Sequence, residues 1–204
     1  MFHCFRIENM KVIVPLSGGK DSQASLIWAI KNFGVDNVHA VFCDTGWEDR
    51  LTYEHIEYII QKTGVSLTVV RSKIYADFVD MSVRKKRFPS TKARFCTEEL
   101  KTKPMIDFIL EQTDDLLIVQ GIRRNESKDR SKMVQHCNYF KYYYTHYKVN
   151  KEGKKLFQTY KKKQVMSWKK QYADEILRPC FEWSAIQTIF RIKKNSLVCK
   201  IPIG

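Results

Sequence analysis

Hydrophobic and polar positions alternate between two periods along the first 120 residues. Val12-Ile13-Val14-Pro15-Leu16 is a short apolar run with no polar interruption, the pattern of a strand buried on both faces. Asp21 to Phe33 then repeats at helical spacing, with Leu26, Ile27, Ile30 and Phe33 on one face and Gly34 after its end. A second strand is predicted over Val38 to Cys43. A second helix follows from about Arg50 to Lys62, with Ile56, Ile59 and Ile60 inward and Gly64 as its stop. Ser66 to Val70 reads as a third strand, residues 74–86 as a helix, and Phe88-Pro89-Ser90 as a break. Thr97-Glu98-Glu99 has the form of a helix start, a hydroxyl followed by acids. Pro104 cannot donate its backbone bond, so the helix kinks or restarts there and turns Met105, Phe108 and Ile109 to the core. Leu116 to Gln120 is a fourth strand, ended by Gly121.

Strands separated by helices of this length form βαβ units. The fold class is therefore α/β, a doubly wound and mostly parallel sheet. After Gly121 the pattern changes. Tyr139 to Tyr147 and Leu156 to Val165 are β-prone, with Asn150-Lys151-Glu152-Gly153 as a turn between them. They predict an antiparallel hairpin over 139–165, inserted late in one domain spanning 10–204. Residues 1–9 read as an N-terminal extension, with Met10 as an alternative start.

Charge sharpens this picture. The 204-residue chain carries a formal +14. Residues 141–170 hold ten lysines against Glu152, a local +9, and the rest of the chain carries the other +5. A basic segment interleaved with Tyr142, Tyr143, Tyr144, Tyr147, Phe157, Tyr160 and Trp168 suits tRNA or DNA, lysines on phosphates and rings on bases. A solvated hairpin with its tyrosines packed on one face would look the same. No apolar run reaches the ~18 residues of a membrane span, and the start lacks the apolar core of a secretory signal. Six cysteines without such a signal read as reduced thiols of a cytoplasmic protein.

The chemistry concentrates at strand ends. Ser17-Gly18-Gly19-Lys20-Asp21-Ser22 lies between the first strand and first helix, where backbone N–H groups at a helix start attract anions. Ser17 and Ser22 add hydroxyls and Lys20 a charge. The spacing is not that of a Walker A loop, which has four residues between its glycines. Asp44-Thr45-Gly46 follows the second strand, so Asp44 would reach a ribose hydroxyl or a metal, or cap a turn. Arg94 and Lys101 flank the helix start beside Cys96, a nucleophile if its pKa is lowered and otherwise a small buried thiol. Gly121-Ile122-Arg123-Arg124-Asn125-Glu126-Ser127 follows the fourth strand, with Arg130 behind it. Arg123 and Arg130 would clamp an anion while Glu126 orients one of them.

The hexamer at 17–22 resembles the PP-loop of the N-type ATP pyrophosphatases, S-G-G-x-D-S, at every fixed position. Asp44-Thr45-Gly46, the run Phe88-Pro89-Ser90 to Pro104 with Arg94, Cys96 and Lys101, the stretch Gly121 to Arg130, and Pro179 with Trp183-Ser184 are similar to the phosphoadenosine phosphosulfate (PAPS) reductase branch. That resemblance implies an adenine nucleotide alpha hydrolase-like fold and an adenine nucleotide, PAPS or ATP, as ligand. It implies sulfate reduction or sulfur transfer, with Lys20, Arg123 and Cys96 as catalytic candidates and a thioredoxin-like reductant as partner. With ATP, Mg²⁺ would assist and the reaction would adenylylate tRNA or DNA. A catalytically degenerate nucleotide- or nucleic-acid-binding protein is the third reading.

Two features depart from the branch. The reductases' C-terminal E-C-G-x-H is absent; the tail reads Leu197-Val198-Cys199-Lys200-Ile201. The cysteines at 4, 43, 96, 137, 180 and 199 include no C-C or C-x-x-C pair, so no iron–sulfur cluster is expected. Nor do the histidines show zinc spacing.

Overall fold

The computed structural model describes residues 10–91, 93–112, 116–133, 135–138, 145–149, 151, 155–158, 175–178 and 182; at 110, 137–138, 145–149, 155–158 and 175–177 it describes the backbone alone. A central sheet contains β1 (Lys11–Pro15), β2 (Val38–Cys43), β3 (Ser66–Val70), β4 (Leu116–Val119), β5 (His136–Asn138) and β8 (Glu175–Leu177). The strand order is β3-β2-β1-β4-β8-β5. All neighbours run parallel except β5, which is antiparallel to β8. The chain thus winds outward from β1 in one direction and resumes on its other side with β4. The crevice between such diverging connections is where α/β sheets bind ligands.

Alternation along β1 explains the two layers. Val12 and Val14 join Leu26 and Ala29 of α1 (Lys20–Phe33) and Ile56 and Ile59 of α2 (Arg50–Thr63) in one buried cluster. Ile13, between them, points to the other face, where Ile118 of β4 meets Met105 and Ile109 of α5 (Lys103–Glu111). Successive strand residues face opposite sides, so a continuous apolar run feeds both layers. The predicted α/β class, the first four strands and the inward faces of α1, α2 and α5 are all observed.

The segment before α5 differs from expectation. The helix starts at α4 (Phe95–Thr97), capped by Arg94, and passes through a π-turn over Glu98–Thr102 before α5. Thr97 is helical and makes no capping bond. The acids therefore lie within the helix, where buried Glu99 accepts from Lys85 (3.0 Å) and Lys103 (2.8 Å). Pro104 sits in the first turn of α5, and the hydrogen bonds it cannot make are accommodated by the wider turn just upstream. The helix predicted at 74–86 is shorter, α3 (Phe78–Lys85), because Asp77 caps it through the Asp80 N–H at 2.8 Å.

Strands β5 and β8 were not predicted; at three residues each they show no period to read. β6 (Thr145–Val149) and β7 (Lys155–Gln158) pair antiparallel in a separate two-stranded sheet, with a register shift between His146 and Lys148. The predicted side-chain arrangement of this basic segment lies outside the described residues, as do Pro179, Trp183, Cys199 and residues 1–9.

Candidate functional site

The PP-loop hexamer turns from the end of β1 into α1. Gly18 adopts φ +75°, a left-handed conformation that other residues reach only with strain, and a Cβ there would stand 3.1 Å from Thr52 Cγ2. Gly19 is the N-cap of the helix and, as a glycine, supplies no side-chain bond to the first turn. Buried Ser22 closes the loop from inside. Its hydroxyl donates to the Gly19 carbonyl at 2.8 Å and accepts from the Ser17 N–H at 3.2 Å. The Ser17 hydroxyl lies 3.1 Å away. Ser22 is therefore a staple of the loop and not, as its residue type suggested, a free donor for a ligand. No described residue partners the Lys20 ammonium.

Gly121 brings β4 against this loop. A Cβ on Gly121 would fall 2.6 Å from the Asp21 carbonyl and 2.6 Å from the Ser22 nitrogen. Two residues on, Arg123 Nε donates to Asp21 Oδ1 at 2.7 Å, with both side chains largely buried. Glu126 accepts from the Arg123 N–H at 3.1 Å and from the Arg130 guanidinium. Burial pushes the Glu126 carboxyl up, yet the Arg123 N–H and the Arg130 charge outweigh it and hold its pKa below the ordinary value. Glu126 thus orients Arg130, as expected, while Arg123 is engaged with Asp21 rather than poised as a free clamp.

Asp44 is also engaged. Its Oδ1 accepts from the Gly46 N–H at 2.9 Å and the Tyr53 hydroxyl at 2.7 Å; its Oδ2 accepts from Arg71 Nε at 3.0 Å and from a second Arg71 nitrogen. A carboxylate offers about four acceptor positions, and all are filled. Asp44 accordingly organises its turn and has no lone pair left for a ribose or a metal. Thr45 donates to Glu48 at 3.1 Å, and Glu48 is paired with Lys101 at 2.9 Å. These contacts tie the turn after β2 to the π-turn across the crevice.

Between them lies a cleft of about 270 Å³. It is lined by Ser17, Phe42, Cys43, Lys101, Thr102 and Gln120, with Met105 behind. The strand ends predicted to share one crevice do so. The Gln120 Oε1 atom is buried there and has no hydrogen-bond partner among the described residues. Cys43 donates to the Lys101 carbonyl at 3.4 Å. Burial pushes its thiol up to about 12, against a weaker opposing pull from the Lys101 charge, so it is a neutral thiol at physiological pH. Cys96 does not line the cleft; it packs against Met81, Phe95 and Leu100. Arg94 is exposed at the α4 start. Cys43 and Gln120 were not among the expected site residues, although each stands at the carboxyl end of a parallel strand, where lining residues are expected. Among the described residues, no group of three or more His, Cys, Asp or Glu side chains could hold a metal ion, and no helix is long and apolar enough to cross a membrane.

A glycine-rich loop leading from β1 into α1, at the switch point of a β3-β2-β1-β4 sheet and beside a cleft of about 270 Å³, is the arrangement of an α/β domain of the PP-loop superfamily. The chain belongs to the phosphoadenosine phosphosulfate reductase domain family, whose model matches residues 11–150. An uncharacterized protein of Methanocaldococcus jannaschii is 34% identical over 133 residues, 64% of this chain and 27% of that protein. The chain thus spans only about a quarter of that relative's length. Among solved structures, the PAPS reductase of Candida auris superposes with a TM-score of 0.56 at 12% identity, over 91% of this chain and 73% of that one. The U34-tRNA thiolase NcsA of Methanococcus maripaludis, solved with its 4Fe-4S cluster, gives 0.58 at 18%, over 93% and 58%. At these identities the likeness is one of fold.

Proposed function

We propose that this chain binds an adenine nucleotide with its phosphate or sulfate groups on the Ser17–Lys20 loop, and that it serves sulfur transfer or sulfate reduction on an adenylylated sulfate. The observation that carries this reading is the glycine-rich start of α1 with Lys20, unpaired among the described residues, next to a cleft lined by Ser17 in which Gln120 Oε1 has no hydrogen-bond partner among the described residues. Anionic groups satisfy the first two, and an exocyclic amine on the base satisfies the third. The Lys101–Glu48 pair at the rim offers a second cation to the ligand's anionic end. Arg123, Glu126 and Arg130 hold the loop's far side, with Arg130 the more exposed of the two cations.

The state of the cleft's own thiol favours a second reading. Cys43 is a neutral thiol there and Cys96 is packed outside the cleft, so among the described residues the cleft offers no thiolate nucleophile. An ATP-dependent enzyme that adenylylates an acceptor and releases pyrophosphate needs no such thiol. Mg²⁺ would then be held chiefly by the nucleotide's own phosphates and water, since Asp21 and Asp44 are committed to arginines. The basic segment 141–170 would be available to a tRNA or DNA acceptor, and a reductase reading would instead require a thioredoxin-like partner.

Calorimetry with PAPS and with ATP–Mg²⁺, together with a pyrophosphate-release assay, separates these readings. Binding of PAPS without pyrophosphate release supports the first. ATP-dependent release stimulated by RNA or DNA supports the second. If neither nucleotide binds, the loop's assignment is wrong. Lys20→Ala should weaken whichever nucleotide binds by about tenfold, the scale of one lost charge-assisted hydrogen bond. Unchanged affinity in that variant would show that the phosphates lie elsewhere.

A further inference from the structure

Away from the nucleotide loop, three aromatic rings form a ladder on the surface. Trp47 stacks on Phe78 (centroids 5.6 Å apart, planes 27° apart), and Phe78 meets Phe88 edge-on at 5.4 Å. Phe78 is anchored against Met81, Phe95 and Leu100, whereas Trp47 is 62% exposed and Phe88 is 73% exposed. The exposed rings are thus held in place by a partly buried one. Aromatic surface of this size is rarely left in water without a use.

The charge around the ladder is one-sided. From Met81 to Thr97 the sequence carries six cations, Arg84, Lys85, Lys86, Arg87, Lys92 and Arg94, and no acid. The nearby carboxylates are already occupied: Asp80 by Arg84, Asp77 by the Asp80 N–H, Glu48 by Lys101 and Asp49 by the Leu51 N–H. Lys86 takes a left-handed conformation (φ +53°) at the end of α3 and is exposed just before Phe88. Among the described residues neither Lys86 nor Arg94 has an acidic partner. Arg87 lies over the Phe95 ring at 4.8 Å, which keeps its charge beside Phe88.

We propose that the Trp47–Phe78–Phe88 ladder, with the exposed cations Lys86, Arg87 and Arg94, is a docking platform for an unpaired stretch of nucleic acid. Bases stack on rigid exposed rings whatever their sequence, and the backbone is neutralised by lysine and arginine. An acidic peptide would satisfy the cations but would leave two large rings in water. The ladder starts at the rim of the cleft: Trp47 is four residues beyond Cys43, and its neighbour Glu48 is paired with Lys101. A strand lying on it would lead toward the crevice. The platform is a different surface from the 141–170 segment and requires no nucleotide.

Fluorescence anisotropy tests it on the full chain without nucleotide, using a labelled oligouridylate of about a dozen residues and an abasic probe of the same length. The oligouridylate should bind at least about tenfold tighter than the abasic probe. Trp47→Leu and Phe88→Leu keep apolar bulk but lose the π face, and each should weaken oligouridylate binding by about tenfold, while Phe88→Tyr retains it. Lys86→Ala should lower the slope of log affinity against log salt by about one. Equal affinity for the two probes, wild-type affinity in both leucine variants, or displacement by polyglutamate as readily as by unlabelled oligouridylate would overturn the platform. The nucleotide reading stands or falls separately, on calorimetry of the unaltered chain with ATP and PAPS.

Discussion

Gly121→Ala is expected to destabilise the fold by about 3 kcal/mol and to abolish nucleotide binding. The added methyl would sit 2.6 Å from three backbone atoms of Asp21 and Ser22. Side chains can rotate away from such a contact, but the first turn of α1 can only move as a unit. Moving it breaks the staple between Ser22 and Gly19 and pulls Asp21 from Arg123. The first-turn N–H groups proposed to meet the ligand's anionic groups would then no longer converge. Gly19→Ala is the matched control: its Cβ would meet only Ser17 Oγ, at 3.5 Å, and its φ of −78° suits any residue. Urea denaturation of both variants, with calorimetry on whichever nucleotide the wild type binds, checks the prediction. Wild-type stability in Gly121→Ala would mean that β4 and α1 are not in contact as described.

That contact also marks what was and was not legible in the sequence. The glycine at the end of β4 could be seen as a strand terminator, but its intimacy with Asp21, a hundred residues earlier in the chain, is a property of strand order. Whether β4 returns beside β1 is decided by the packing of whole layers. The uninterrupted apolar run at Val12–Val14 and the helical spacing of Leu26, Ile56 and Ile59 were readable because burial alone sets them. Polar side chains were harder. Asp44 and Ser22 have residue types suited to ligands, yet Asp44 is spent on the protein's own donors and Ser22 on the Gly19 carbonyl and the Ser17 N–H. A sequence displays donors and acceptors but not which of them already have partners. The cysteines show the same limit. Cys96 stood in the more suggestive motif, while Cys43, in an ordinary strand, lines the cleft. Short strands such as β5 and β8 hold their place through neighbours, and their own three residues carry no pattern.

Asp44→Asn is expected to cost about 2 kcal/mol at neutral pH, with a cost that shrinks on acidification. The figure lies below that for a fully buried ion pair because the Arg71 side chain is 65% exposed and part of its attraction is screened. The asparagine oxygen can still accept from Gly46 and Tyr53. Its amide would face Arg71 with hydrogens where a carboxylate oxygen had been, so donor meets donor. The pH dependence follows from the native carboxylate. Burial raises its pKa, but the Gly46 N–H, the Tyr53 hydroxyl and Arg71 together bring it below the ordinary value. A group whose pKa is lower folded than unfolded stabilises the fold above its unfolded pKa, and that contribution disappears as pH falls through its folded pKa. Glu99 and Glu126 shift in the same direction, so the whole protein should lose stability below the ordinary carboxylate range. The asparagine variant lacks only the Asp44 share, and its deficit against wild type should therefore narrow over that acid range. Urea midpoints from pH 7 down to about pH 3 measure this. A deficit that stays constant with pH would show that Asp44 contributes through shape rather than charge. Because the Asp44 turn carries Glu48, and Glu48 holds Lys101 at the cleft, the same variant should also weaken nucleotide binding at neutral pH, which links the stability of this turn to the function of the crevice.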